Sequence, residues 1–386
     1  MRLGLLGLVL ILLGGAAWAT GLLPAADAVA LGQRVWPVLL FALAVTVVAE
    51  LAASAGVFVQ VASRVALLAR GRTTILWLLV VGLAILSTVF LSLDTTAVLL
   101  TPVVVLLAVQ AHLRARAFAL TTVWLANTAS LWLPVSNLTN LLAAHRLGEG
   151  GVRAFVELMW LPALVATVVP VALLFLVFRG QLSGDFSPTP PPAAPDPLLL
   201  RICAATVGLL LPMLVLMGGE PWIPACAAAV VIVAAFAWRR PSALRWSVLP
   251  VPLVLFASGL FLVVGTAHSL GATAPLGVLA GEGEGPVALL RLSAVGMLGA
   301  NGVNNLPAYL ALEPLADSPL RVGALLIGVN AGPLVTPWGS LATLLWHQRL
   351  QAMGVSISWR AFILLGVVAA PLTVGAASAG LWLASR

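Results

Sequence analysis

Lysine is absent from this sequence of 386 residues, so its 19 basic side chains are all arginine. That excludes a phosphate loop of the Gly-Lys-Ser/Thr type and any Schiff-base chemistry; an ATPase driving this chain would be another protein. Charge of either sign is scarce, at 8% of residues against 62% hydrophobic, and the mean hydropathy is +1.13. No soluble domain of this length sustains such a composition. The two cysteines, Cys203 and Cys226, lie in separate apolar runs without CxxC spacing and read as packing residues, leaving no metal site or cofactor expected. Alternating ten-residue strands are missing, which excludes a barrel.

What is present is a series of apolar runs of helix-spanning length, so the fold class is an all-α polytopic membrane protein. Nine runs read as full crossings: 3–23, 36–61, 118–144, 155–178, 198–217, 222–238, 248–267, 321–346 and 360–384. The first has the length of a retained span, although Ala17-Trp18-Ala19 also fits a signal-peptide cleavage pattern. Two further runs, 74–110 and 286–316, carry a polar interruption near the middle and read as re-entrant hairpins.

Arginine placement gives an orientation. With the N-terminus cytoplasmic, the inner side holds Arg2, Arg64, Arg70, Arg72, Arg114, Arg116, Arg179, Arg201, Arg239, Arg240, Arg245, Arg349 and Arg360, 13 of the 19. The acids Asp27, Glu149, Glu157, Glu220, Glu282, Glu284, Glu313 and Asp317 fall outside, as does the C-terminus, while Asp185 and Asp196 fall inside. This is the expected arginine bias of an inner, plasma-membrane protein, and it points to a lipid bilayer rather than to nucleic acid. Trp36, Trp222, Trp238, Trp246 and Trp359 fall at expected span ends. The hairpins then enter from opposite sides, so residues 1–178 and 201–386 read as inverted repeats, joined by a Pro-rich cytoplasmic linker at 179–200.

A shift of 203 residues aligns NTASLWLPVSNLTNLL, from Asn127, with NAGPLVTPWGSLATLL, from Asn330, and superposes Pro134 on Pro337. A mid-helix proline frees backbone groups that lipid cannot satisfy, and paired breaks in inverted halves mark a substrate or ion site near the midplane. Asn127, Ser136, Asn137, Thr139, Asn140, Asn330, Thr336, Ser340 and Thr343 supply neutral hydrogen-bonding groups there. The hairpin tips add Ser92, Asp94, Thr95 and Thr96 from one, and Asn301, Asn304 and Asn305 from the other. An acid at membrane depth costs about 2.5 to 3.5 kcal/mol, so Asp94 is the first candidate for proton coupling, with Glu50 the second. His112, His145, His268 and His347 read as interfacial, His268 beginning an outer loop.

GPLVTPWGSLATLLW (332–346), VSNLTNLLAA (135–144), LDTTAVLLTPVV (93–104) and VNNLPAYL (303–310) resemble the signatures of the arsenite/antimonite efflux permease family, within the ion-transporter superfamily that includes sodium-coupled dicarboxylate carriers. The resemblance spans about residues 36–384. It implies two inverted repeats, each with a hairpin and a broken helix, an elevator-like movement, arsenite or antimonite as substrate, and export coupled to protons or to a separate soluble ATPase. A homodimer is compatible with it. The chain departs from that pattern with Leu93 before Asp94, Asn127 and Asn330 where the family has aspartate, and Leu334 where it has lysine.

Arsenite near neutral pH is mostly an uncharged trihydroxide, which suits neutral donors and acceptors. Its uphill export needs a coupled charge; one proton crossing about 100 mV supplies about 2.3 kcal/mol, or roughly a fifty-fold gradient. Asp94 is the expected carrier. The alternative is a sodium- or proton-coupled carrier of another small oxyanion or carboxylate. An intramembrane hydrolase would need a second deep acid or a deep base beside serine, and the sequence provides neither.

Overall fold

The computed structural model describes all residues except 1, 148–150, 189, 191 and 217–219, so Glu149 and part of the proline-rich linker lie outside the described residues. The described chain is helical, and nine of its helices are long and apolar enough to cross a membrane. Six match expected crossings: Ala25–Ser54, Gly151–Leu182, Pro197–Leu216, Trp222–Arg239, Val251–Ser269 and Trp359–Ala384. The other three, Thr73–Leu91, Leu93–Gln110 and Pro286–Val303, are hairpin arms. The expected crossings at 118–144 and 321–346 are absent from that set because both are broken, and Gly4–Ala19 of the first is a shorter apolar helix.

The two halves are inverted repeats, and the repeat is visible element by element. Adding 203 to Ala115–Thr128 gives the helix that starts at Pro319 and ends in a π-helical turn, Ile327–Ala331. The same shift takes Leu138–Ala144 into Leu341–Ala352, and Gly151–Leu182 onto Trp359–Ala384. Packing of the remaining helices is reciprocal: Arg2–Ala19 lies along Val251–Ser269, and Trp222–Arg239 lies along Ala25–Ser54. The first of these contacts is backbone-close, since a Cβ on Gly7 would strike Phe256 and one on Gly259 would strike Leu10. Without a hydrophobic force between helices in lipid, such small-residue contacts are what hold spans together.

Charged and polar contacts sort into two ends. At one end Thr73 N donates to Gly184 O at 3.0 Å, Gln60 Nε2 to Pro192 O at 2.6 Å, and Arg239 pairs with Asp196 at 2.9 Å. At the other, Arg34 pairs with Glu313, Arg146 Nη2 donates to Ala316 O at 3.3 Å, and Arg321 binds the carbonyls of Gly281, Gly283 and Leu315.

Between the halves, helix runs through Leu182 and resumes at Pro197, where proline is tolerated in a first turn. Two details differ from expectation. Trp36 lies well inside Ala25–Ser54, edge-on to Trp222 at 5.3 Å, instead of at a helix end. His268 belongs to the last turn of Val251–Ser269, not to a loop.

Candidate functional site

Each hairpin turns at a non-glycine residue in a conformation that favours glycine. Ser92 has φ 96° and ψ 158°, and Asn304 has φ 102° and ψ 154°. Such strain costs on the order of 1 to 3 kcal/mol and persists only where surrounding contacts impose it. At the first tip, Thr95 Oγ1 donates to Leu91 O at 2.7 Å, and Thr88, Thr96 and Ser87 form a buried hydroxyl chain at 2.9 Å per step. At the second, Asn305 N donates to Gly339 O at 3.0 Å and Asn304 Nδ2 to Trp338 O at 2.9 Å, so the tip is clasped to the second broken helix.

Both helix breaks restart from extended residues 203 apart: Asn137 at φ −153° and Ser340 at φ −143°. Asn137 caps its helix by accepting from Thr139 N at 3.3 Å, whereas Ser340 makes no side-chain cap bond. Gly366 is what lets Trp359–Ala384 pass the second break, since a Cβ there would collide with the Leu334 carbonyl. Leu334, the position of the expected lysine, is fully buried among apolar side chains.

The two tips and the two caps meet at one partly open cavity of roughly 50 Å³. Of the sequence candidates, Ser92, Asp94, Asn137, Asn304, Asn305 and Ser340 line it. The opposite wall comes from Phe41, Ala42, Val45 and Thr46 of Ala25–Ser54 and from Leu253 and Phe256. Asp94 is the one ionisable side chain among the described residues of this lining, and no described ion pair includes it.

Several of the remaining candidates stand behind the wall in a shared hydrogen-bond network. Asn330 Oδ1 accepts from Asn137 Nδ2 and Thr139 Oγ1, both at 2.9 Å, and its Nδ2 donates to Asn140 Oδ1 at 2.8 Å. Asn140 Nδ2 in turn donates to Ser130 O at 2.6 Å, and Ser136 Oγ to Val89 O at 2.8 Å, tying break to hairpin. Asn301 does the same in the other half: its Oδ1 accepts from Thr336 N at 2.9 Å, and its Nδ2 donates to Gly332 O at 2.8 Å. Asn127 and Thr343 are buried away from this cavity.

A second cavity of about 220 Å³ adjoins the first, sharing Thr46, Asp94, Leu253 and Leu341 and adding Thr95, Glu50 and Arg349. Thr46 was missed in the sequence; its signal is the spacing to Glu50, four residues on and therefore on one helix face. Phe41 and Phe256 gave no signal, being apolar residues in apolar helices.

A family model described as citrate transporter matches residues 3–324. The "Arsenical pump membrane protein" of Escherichia coli strain K12 is 28% identical over 386 residues, covering 91% of this chain and 87% of that one. The "Putative arsenical pump membrane protein" of Bacillus subtilis is 25% identical, with 90% and 88% covered. Among solved structures, the crystal structure of the Alcanivorax borkumensis YdaH transporter, described as having an unusual topology, aligns over 99% of this chain and 97% of its own, with a TM-score of 0.59 and 18% identity. At that identity it speaks to the fold alone.

Proposed function

Because the chain belongs to the citrate transporter family, whose members are membrane transporters and not enzymes, we propose that it exports arsenite or antimonite in exchange for protons. The observation carrying this reading is the cavity lining: neutral Ser, Thr and Asn side chains around a single acid, Asp94, with no cationic side chain among the described residues of the lining. Citrate would bring several negative charges into that space without a partner, and uncompensated charge out of water is strongly unfavourable. An uncharged trihydroxide needs only donors and acceptors, which Ser92, Asn137, Asn304, Asn305 and Ser340 provide. The names of the arsenical pump relatives support the same solute.

Asp94 is the proton's carrier in this scheme. Ionised, it offers acceptors to the solute's hydroxyls; protonated, it returns without net charge. Binding of proton and solute at one carboxyl then excludes each other, which is what antiport requires.

The cavity lies between Ala25–Ser54 with Val251–Ser269 on one side and the tips and breaks on the other, a division that supports an elevator-like movement. Charge at the two ends of Ala25–Ser54 supports it further. Arg34 is paired with Glu313, at the far end of the second hairpin, while Glu50 and Arg349 both line the second cavity and form no ion pair among the described residues. Movement that separates the first couple and joins the second would close one mouth as the other opens.

A second reading, a carrier of another small oxyanion or carboxylate, has Arg349 in its favour, as a cation next to the entrance. Everted vesicles decide between them. Labelled arsenite should accumulate when the interior is made acid, a protonophore should collapse the accumulation, and Asp94→Asn should abolish it. Accumulation unchanged in Asp94→Asn would remove the proton assignment, and sodium-dependent carboxylate uptake without arsenite uptake would establish the second reading.

A further inference from the structure

The shift of 203 that relates the halves carries the closed amide cluster onto a second set of side chains. Asn330 corresponds to Asn127, and its partners Asn137, Thr139 and Asn140 correspond to Ser340, Ala342 and Thr343. In the first set the amide and hydroxyl ends meet at 2.8 to 2.9 Å. In the second, Asn127 Oδ1, Ser340 Oγ and Thr343 Oγ1 are buried and have no hydrogen-bond partner among the described residues. Their residues are 1%, 1% and 0% exposed, so bulk water does not serve them.

Helix register brings the same three together without appeal to symmetry. Ala115–Thr128 runs into its break and Leu341–Ala352 runs out of its own, so the two pack antiparallel, joined where Trp346 Nε1 donates to Ala119 O at 2.9 Å. From that contact, residues 119, 123 and 127 follow one face at i+4, and Trp346 and Thr343 follow the facing one at i−3. One more turn toward the breaks sets Asn127 opposite Ser340.

The shorter side chains of the second set account for the missing partners. Between the two sets, Asn becomes Ser, Thr becomes Ala and Asn becomes Thr, a loss of roughly five non-hydrogen atoms, about the size of one or two waters. Asn127 Nδ2 is already committed to Val123 O at 2.9 Å, so its oxygen faces the gap as an acceptor only. Helix Ala115–Thr128 ends beside it and brings the negative end of its dipole.

We infer that Asn127, Ser340 and Thr343 form a binding site for a small monovalent cation of sodium's size, held with its water against the wall of the solute cavity. Asn127 stands at the carbonyl end of its half-helix, where transporters built on interrupted helices accept such cations, while Ser340 and Thr343 add hydroxyl oxygens from the N-cap and first turn of Leu341–Ala352. Ser340 belongs to both sites, so an ion here would fix one wall of the solute cavity.

The test is thermal unfolding of the purified full chain in sodium, potassium or choline chloride at equal ionic strength; it uses no arsenite and is independent of which solute is carried. The site requires a saturable rise of the midpoint with sodium that choline does not reproduce. Ser340→Ala and Thr343→Val should raise the half-saturating sodium concentration about tenfold, the equivalent of about 1.4 kcal/mol. Thr343→Asn, which rebuilds the counterpart of Asn140, should raise the midpoint in choline and blunt the sodium response, a result that misfolding cannot mimic. A wild-type midpoint indifferent to sodium would assign the gap to water alone and overturn the inference, as would a sodium response unchanged in all three variants.

Discussion

Asn330 and Asn137, 193 residues apart in the chain, meet amide to amide at 2.9 Å and join the two broken helices at their breaks. Both are buried, so the bond is made where no water competes for it. Asn330→Leu leaves Asn137 Nδ2 and Thr139 Oγ1 without their acceptor and Asn140 Oδ1 without its donor. At about 1 to 3 kcal/mol for each orphaned group, the variant should lose much of its stability, seen as a lowered unfolding midpoint in detergent. A midpoint within a degree or so of wild type would show that the cluster is not structural.

The strained turns make a prediction of opposite sign for two small residues. At Asn304, with φ 102°, alanine and glycine remove the same side-chain contact to Trp338 O, but only glycine is at ease with the backbone. Asn304→Ala should therefore be less stable than Asn304→Gly by about 1 kcal/mol or more, and the same order should hold at Ser92. Equal midpoints would mean that the tip relaxes on substitution.

Glu313 accepts from both Arg34 and the Tyr309 hydroxyl, the latter at 3.0 Å, and is nearly buried, while the Arg34 side chain is 32% exposed. Removing one charge should cost about 1 to 3 kcal/mol, less than for a fully enclosed pair. Glu313→Gln and Arg34→Gln should each bias the protein toward opening at that end. Their double variant should be nearer wild type than the sum of the singles, measured as a double-mutant cycle on unfolding midpoints. Additive losses would show that the two do not interact.

Asp196 precedes helix Pro197–Leu216, accepts from Leu198 N and Leu199 N, and pairs with Arg239. The Arg239 hydrogen bond, helped by those backbone donors, holds its carboxyl below the ordinary value of 3.8. A depressed acid contributes stability above its unfolded pKa and loses it as pH falls through the folded one. Asp196→Asn should therefore lower stability slightly at neutral pH, with the difference from wild type fading below about pH 4. A difference that grew on acidification would contradict the pairing.

Much of this architecture was legible because membrane constraints write themselves into sequence. Apolar length gave the helices, and Pro134 and Pro337 gave the breaks, because a missing N–H cannot be hidden in a span. The repeat at 203 survived as Asn137 and Ser340, two residues suited to restarting a helix. The residues that turn the hairpins were less visible: Ser92 and Asn304 occupy a glycine-like conformation without being glycine. Helix boundaries were less legible, because proline opens a helix as readily as it stops one, as at Pro197.

The sequence alone determined that the chain lives in a bilayer, that it is helical, and that its polar residues gather at two matching interruptions. Only the tertiary structure decided what those polar residues do. Asn137, Asn330 and Asn140 look alike in sequence to Ser340, Asn127 and Thr343, yet the first three close on one another and the second three are left open. The reason is physical: hydrophobic patterning is local and additive along a helix, whereas a hydrogen bond depends on a few tenths of an ångström between groups nearly two hundred residues apart. Side chains shortened by one or two atoms change nothing in the pattern and everything in the contact.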